Sequence, residues 1–252
     1  MKKISAIYAT FLICLISFGA GASSQQLELK TPRGVTIKID TYNVGLRKAL
    51  VLAPGQGCNA RLDMYDAIAS EAQKNNFTVV RLYWAYCLIA PTGNPSENLS
   101  NEKEDFLTAL SYVKNTLGYA NLNLYVGGKS LGSFVSSDVF MAQKNLQGLL
   151  MLTPICTDSQ TDPKSHKNIF AESYPRLESE ARLILFGHGS ADPLCDNDHF
   201  FEYLEDKGNN FVPMVIKADH SLGVKNQDGQ YNMELGARNL KTISKWIFTW
   251  LE

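Results

Sequence analysis

Ser130 lies in Gly127-Gly128-Lys129-Ser130-Leu131-Gly132, which matches G-x-S-x-G. That pattern suits a serine nucleophile held at a sharp turn, where side chains on either side would clash with the adjoining strand and helix. Alone it is a weak signal. Here it falls between an apolar strand, Leu124–Val126, and an amphipathic helix, Leu131–Ala142, which makes it much stronger. Gly128-Lys129-Ser130 also resembles the end of a phosphate loop, but the first glycine of that motif would fall at Asn123, and strand residues fill the interval. No G-x-G-x-x-G supports a dinucleotide site.

A nucleophilic serine needs a base, and the base needs an orienting acid, expected in the chain order Ser, Asp or Glu, His. The chain has four histidines. His166 falls in a polar connection, His188 in a His-Gly turn and His199 on a helix surface. His220, in Ala218-Asp219-His220-Ser221, follows the last core strand and precedes the closing helix, where a base would overhang the sheet edge. For the acid, Asp192 occupies Gly187-His188-Gly189-Ser190-Ala191-Asp192-Pro193, the loop leaving the preceding strand. Asp158 is the runner-up. Asp196 and Asp198 read as helix caps, and Asp219 points away from its neighbour His220.

The elements that must position these residues alternate along the chain. Strands are expected at Leu27–Lys30, Val35–Asp40, Ala49–Ala53, Phe77–Trp84, Leu124–Val126, Leu149–Leu152, Leu183–Phe186 and Phe211–Ile216. Leu62, Tyr65, Ile68, Ala69 and Ala72 recur at helical spacing, and Asn101 with Glu104 reads as a capping box. That second helix carries Phe106, Leu110, Val113 and Leu117 inward and stops at Gly118. Asp198–Leu204 and a long run from Met233 to Trp250 complete the helices, and Pro213 predicts an edge strand. Strands alternating with helices imply a mostly parallel sheet covered on both faces.

The chain is 252 residues with 24 basic and 25 acidic side chains, so no strong electrostatic reason to bind nucleic acid exists. Lys2 and Lys3 precede an apolar stretch, Ile4 to Phe18, and small residues ending at Ala22. Residues 1–22 therefore read as a signal peptide, with residues 23–252 as one exported domain, periplasmic or extracellular, without a lasting membrane anchor. Removing the leader leaves 22 basic and 25 acidic residues and four of the five cysteines. An even count in an exported protein suggests two disulfides, with three pairings open. Asn98-Leu99-Ser100 is a glycosylation sequon only in a eukaryotic host, and the short double-lysine leader looks bacterial.

The Gly-Gly-Lys-Ser-Leu-Gly elbow, the His-Gly-x-x-Asp-Pro loop and the Ala-Asp-His-Ser loop resemble those of α/β-hydrolases. They are similar to the small dienelactone-hydrolase-like branch that includes testis-expressed protein 30. The resemblance implies an α/β-hydrolase fold: a mostly parallel eight-stranded sheet, helices on both faces, and a short cap. It implies Ser130, Asp192 and His220 as nucleophile, orienter and base. It places the oxyanion hole at the amide of Leu131 and one from the loop Ala53-Pro54-Gly55-Gln56-Gly57-Cys58, expected at Gln56, with Gly57 next. Many relatives carry His-Gly where this chain has Pro54-Gly55. The family's strand order also implies the pairs Cys58–Cys87 and Cys156–Cys195.

The chemistry expected is acyl transfer from a small-molecule substrate to water, with no metal or cofactor required. A carboxylesterase or thioesterase is the first reading. A peptidase or other acyl hydrolase, and a non-catalytic binding module of the same fold, are the alternatives. The stretch Thr157–Ala181 is short and polar, which predicts an open site. Tyr86, Leu88 and Ile89, in the loop Ala85–Leu99, form an apolar acyl wall or simply pack that loop down.

Overall fold

A computed structural model describes residues 24–58, 63–90, 92–119, 123–158, 167–205 and 207–251. The expected signal peptide, Leu62 and His166 lie outside the described residues. Eight strands form one sheet: β1 (Ser24–Lys30), β2 (Thr36–Tyr42), β3 (Lys48–Ala53), β4 (Phe77–Tyr83), β5 (Leu124–Lys129), β6 (Gly148–Leu152), β7 (Leu183–Gly189) and β8 (Phe211–Ile216). Their order across the sheet is β1-β2-β4-β3-β5-β6-β7-β8. β2 runs antiparallel to β1 and β4, and every pair from β4 through β8 is parallel. Parallel strands buried on both faces need continuous apolar runs, and Ala49–Ala53 and Gly148–Leu152 are buried throughout. Pro213, which cannot donate to a ladder, sits on the edge strand β8.

The helices are α1 (Asp63–Lys74), α2 (Ala85–Ile89), α3 (Ser100–Asn115), α4 (Leu131–Ala142), α5 (Phe170–Ser173), α6 (Asn197–Leu204) and α7 (Met233–Leu251). α1 and α7 cover one face through Met64, Ile68, Ile243 and Phe248. α3, α4, α5 and α6 cover the other through Phe106, Phe140, Phe170 and Phe200. In α1, Tyr65, Ile68, Ala69 and Ala72 form the buried stripe that their spacing predicts.

Two local expectations are corrected. The Pro/Gly/Asn-rich stretch after β4 begins with the short helix α2, whose first N–H is accepted by Asp105 Oδ2 at 2.9 Å. The capping box at Asn101 and Glu104 does not form. α3 starts at Ser100, behind Leu99 in a left-handed conformation, and side chains upstream take its first N–H groups: Asn98 Oδ1 accepts from Ser100 at 3.1 Å and Ser96 Oγ from Asn101 at 3.2 Å. Glu104 turns instead to Arg33, accepting from its backbone N–H at 3.0 Å and from its guanidinium at 2.9 Å. A charge-assisted partner across the fold outcompetes a local cap.

Candidate active site

Strands β3, β5, β7 and β8 run parallel, so their carboxyl ends deliver four loops to one edge of the sheet. Ser130 stands at the end of β5 with φ 51° and ψ −119°, a backbone conformation that costs a side-chain-bearing residue strain. The motif glycines explain how the turn closes. A Cβ on Gly128 would collide with the Gly132 carbonyl, and one on Gly132 would lie 2.5 Å from the Ala53 carbonyl oxygen. The strand end of β3 therefore abuts the first turn of α4. The turn is braced from behind: Ser133 Oγ donates to the Ser130 carbonyl at 2.5 Å and contacts Tyr174 Oη at 2.8 Å.

Asp192 is fully enclosed as a side chain, and its two carboxylate oxygens lie 3.0 and 2.8 Å from His220 Nδ1. That contact assigns the proton to Nδ1 and leaves Nε2 as the nitrogen able to accept one. Backbone bonds tie the two loops together: Ser190 N–H to the Ile216 carbonyl and Ala191 N–H to the Ala218 carbonyl, both at 2.8 Å. Asp219 is turned away from the site; it accepts from Ser221 N–H, Gly223 N–H and Tyr231 Oη–H. No hydrogen bond joins Ser130 Oγ to His220 among the described residues. Substrate-free sites often leave that contact open.

The remaining candidates fall elsewhere. Asp158 accepts the backbone N–H of Lys167 at 2.8 Å. Asp196 caps α6 through His199 N–H at 2.9 Å and also meets the His199 ring. His188 does not shape a turn. It is wholly buried in β7, its ring stacks on Phe200 at 4.5 Å, and burial pushes its pKa down.

On the opposite side of Ser130, the segment Pro54–Cys58 comes close enough that a Cβ on Gly55 would lie 3.5 Å from Ser130 Cβ. Leu131 opens α4, a position whose amide has no intrahelical acceptor. Gln56 and Gly57 are exposed. Three contacts from α2 and its N-cap Trp84 hold this loop: Trp84 Nε1–H to the Gly55 carbonyl at 3.2 Å, Tyr86 Oη–H to the Gln56 carbonyl at 2.8 Å, and the Cys58–Cys87 disulfide. A second disulfide joins Cys156, after β6, to Cys195 in the acid loop.

Sequence reasoning missed the Trp84 and Tyr86 anchors and the burial of Lys129. Lys129 is 6 % exposed at the end of β5. Burial lowers its pKa to about 8, against the opposing pull of Asp192 and Asp219. The only sequence signal was a lysine inside an otherwise apolar strand end.

Residues 46–248 match the profile of the alpha/beta hydrolase domain family. No curated protein matches the chain. Among solved structures, an alpha-beta serine hydrolase homologue from Coxiella burnetii aligns with a TM-score of 0.65 at 14% identity, covering 88% of this chain and 96% of that one. A serine hydrolase without a lid from Xanthomonas campestris gives 0.63 at 15% identity, covering 90% and 94%. The esterase domain of a Rhodothermus marinus protein gives 0.64 at 12% identity, covering 90% and 97%. At these identities the likeness is one of fold.

Proposed function

Since the chain belongs to the alpha/beta hydrolase family, we propose that it is a serine hydrolase cleaving a carboxylic ester or thioester. The observation that carries this reading is the paired contact of Asp192 with His220 Nδ1, on the sheet edge that also carries a serine held at a strained turn. His220 Nε2 takes the Ser130 proton as Oγ attacks the carbonyl carbon. The amides of Leu131 and Gln56 receive the developing oxyanion, each such donor being worth about 3–4 kcal/mol of barrier. His220 then passes the proton to the leaving atom, and a water molecule repeats the sequence on the acyl-enzyme.

The test is labelling with a serine-reactive fluorophosphonate, alongside hydrolysis of p-nitrophenyl acetate. Wild type is expected to react in both assays, and Ser130→Ala in neither. A wild-type protein that neither labels nor turns over would overturn the proposal. Matched ester and amide substrates separate an esterase from a peptidase.

We further propose that the protein is exported after cleavage behind Ala22. Two disulfides support this. Sequencing the N-terminus of the secreted protein should return Ser23; a start at Met1 would contradict it.

A further inference from the structure

Beyond His220 the chain continues as Ser221–Val224, and this segment walls two cavities. The first, of about 440 Å³, is lined by His220 itself together with Ala191, Pro193 and Tyr231. The second, of about 570 Å³, lies between this segment, α1 and the start of α7, and its walls include Met64, Leu222, Val224, Met233, Ala237 and Leu240. The two share Ser221, Gly223, Val224 and Tyr231 as walls, so they adjoin across this segment; the first also carries Lys217, Asp219 and Lys225 at its rim, whereas the second is the more apolar. Each is of the size that holds a small organic ligand, about 300–1,000 Å³. Tyr231, half-exposed, is fixed between them by its hydroxyl bond to Asp219 at 2.7 Å.

Gly236 lines the second cavity from the first turns of α7. Glycine is a poor residue inside a helix, since it loses more backbone freedom than any other. A Cβ added to Gly236 would meet nothing within 4 Å, so packing does not demand the glycine there. A side chain at that position would project into open groove.

Which part of a substrate would lie here follows from proton transfer. The general acid must come within hydrogen-bond reach of the leaving atom, so the leaving group emerges on the His220 side. The acyl part is left to the opposite wall, near Gln56 and α2, where Leu88 and Ile89 are exposed. We propose that the groove seats an apolar tail on the leaving alcohol or thiol of the substrate, a reading that rests on the serine-hydrolase function above.

Two ester series test this in wild type and Gly236→Leu, which adds an apolar side chain where a Cβ meets nothing within 4 Å. One varies the alcohol, from ethyl to octyl acetate; the other varies the acyl chain on p-nitrophenol, from acetate to octanoate. Wild type is expected to favour octyl over ethyl acetate about tenfold in kcat/KM. Gly236→Leu should erase that preference, while ethyl acetate hydrolysis and the octanoate-to-acetate ratio stay within twofold. Equal losses on ethyl and octyl acetate, or no change on either, would overturn the proposal. So would a selective loss in the acyl series, which would make the groove an acyl site. A change in sedimentation coefficient with an unchanged alcohol preference would also overturn it, making the groove a contact between two copies. Lack of any wild-type hydrolysis or fluorophosphonate labelling would overturn the serine-hydrolase reading and this one together, whereas intact p-nitrophenyl acetate hydrolysis confines a failure to the groove.

Discussion

Two loops on one sheet edge are each tied by a disulfide, yet they are held in opposite ways. Cys156 and Cys195 are both 0 % exposed, and their bridge lies in the aromatic core beside Phe170 and Phe200. Backbone bonds duplicate it: Cys156 N–H to the Leu194 carbonyl at 2.9 Å and Thr157 N–H to the same carbonyl at 3.2 Å. Cys58 and Cys87 are only half-buried, and Cys58 itself sits at φ 55°. Its loop exposes Gln56 and Gly57 and hangs from Trp84, Tyr86 and the bridge.

Chain entropy does not separate the two. Closing loops across 29 and 39 residues removes ~3.6 and ~3.9 kcal/mol of unfolded-state freedom. The difference must come from the native surroundings. A bridge embedded in the core serves stability, whereas a bridge on an otherwise exposed loop serves the geometry of whatever that loop presents.

The largest effect should follow loss of the buried bridge. Cys156→Ala with Cys195→Ala is expected to lower unfolding free energy by ~4 kcal/mol in denaturant titration. Turnover per folded molecule should stay within twofold, because the backbone bonds keep Asp192 under His220. A fall in turnover as large as that from losing the other bridge would break the contrast.

Next comes Lys129, which tests whether charge is the main cost of the acid–base side. With its pKa lowered by burial from 10.5 to about 8, the unfolded chain binds the extra proton between those values and the folded protein does not. Stability therefore falls as pH drops from 10.5 to about 8, and the penalty persists undiminished below that. Lys129→Met is expected to gain ~3 kcal/mol at pH 7, with the gain vanishing above pH 10.5. Melting curves across that range check it, and a gain independent of pH would assign the effect to packing.

The smallest expected free-energy change sharpens the other half of the contrast. Cys58→Ala with Cys87→Ala should cut kcat about thirtyfold, ~2 kcal/mol of barrier, with KM nearly unchanged. Steady-state kinetics on p-nitrophenyl acetate checks this. An unchanged kcat would mean that Trp84 and Tyr86 alone position the loop.

Much of this molecule is legible from short stretches of chain. The apolar run Gly148–Leu152, the Tyr65–Ala72 stripe and Pro213 at the edge each follow from patterning and the missing proline N–H. Glu104 misled because its partner, Arg33, is 71 residues away and invisible to any local rule. α2 was missed because Asp105 from α3 supplies its cap, and five residues carry too little periodicity to announce a helix.

By itself, the sequence determined the alternation of strands and helices and the serine turn, since both depend on hydrophobic period and on glycines within a few residues of Ser130. It also placed an acid and a histidine after consecutive strands. Only the tertiary structure decided that Asp192, rather than Asp158 or Asp219, meets His220, 28 positions further along the chain. Tertiary packing likewise decided that Trp84 and Tyr86 anchor the segment next to Ser130, that Lys129 is buried beside the serine, and that cavities open along the segment after His220. Those features depend on which loops the parallel sheet delivers to one edge, and the free energy that sets them is shared among residues far apart in the chain.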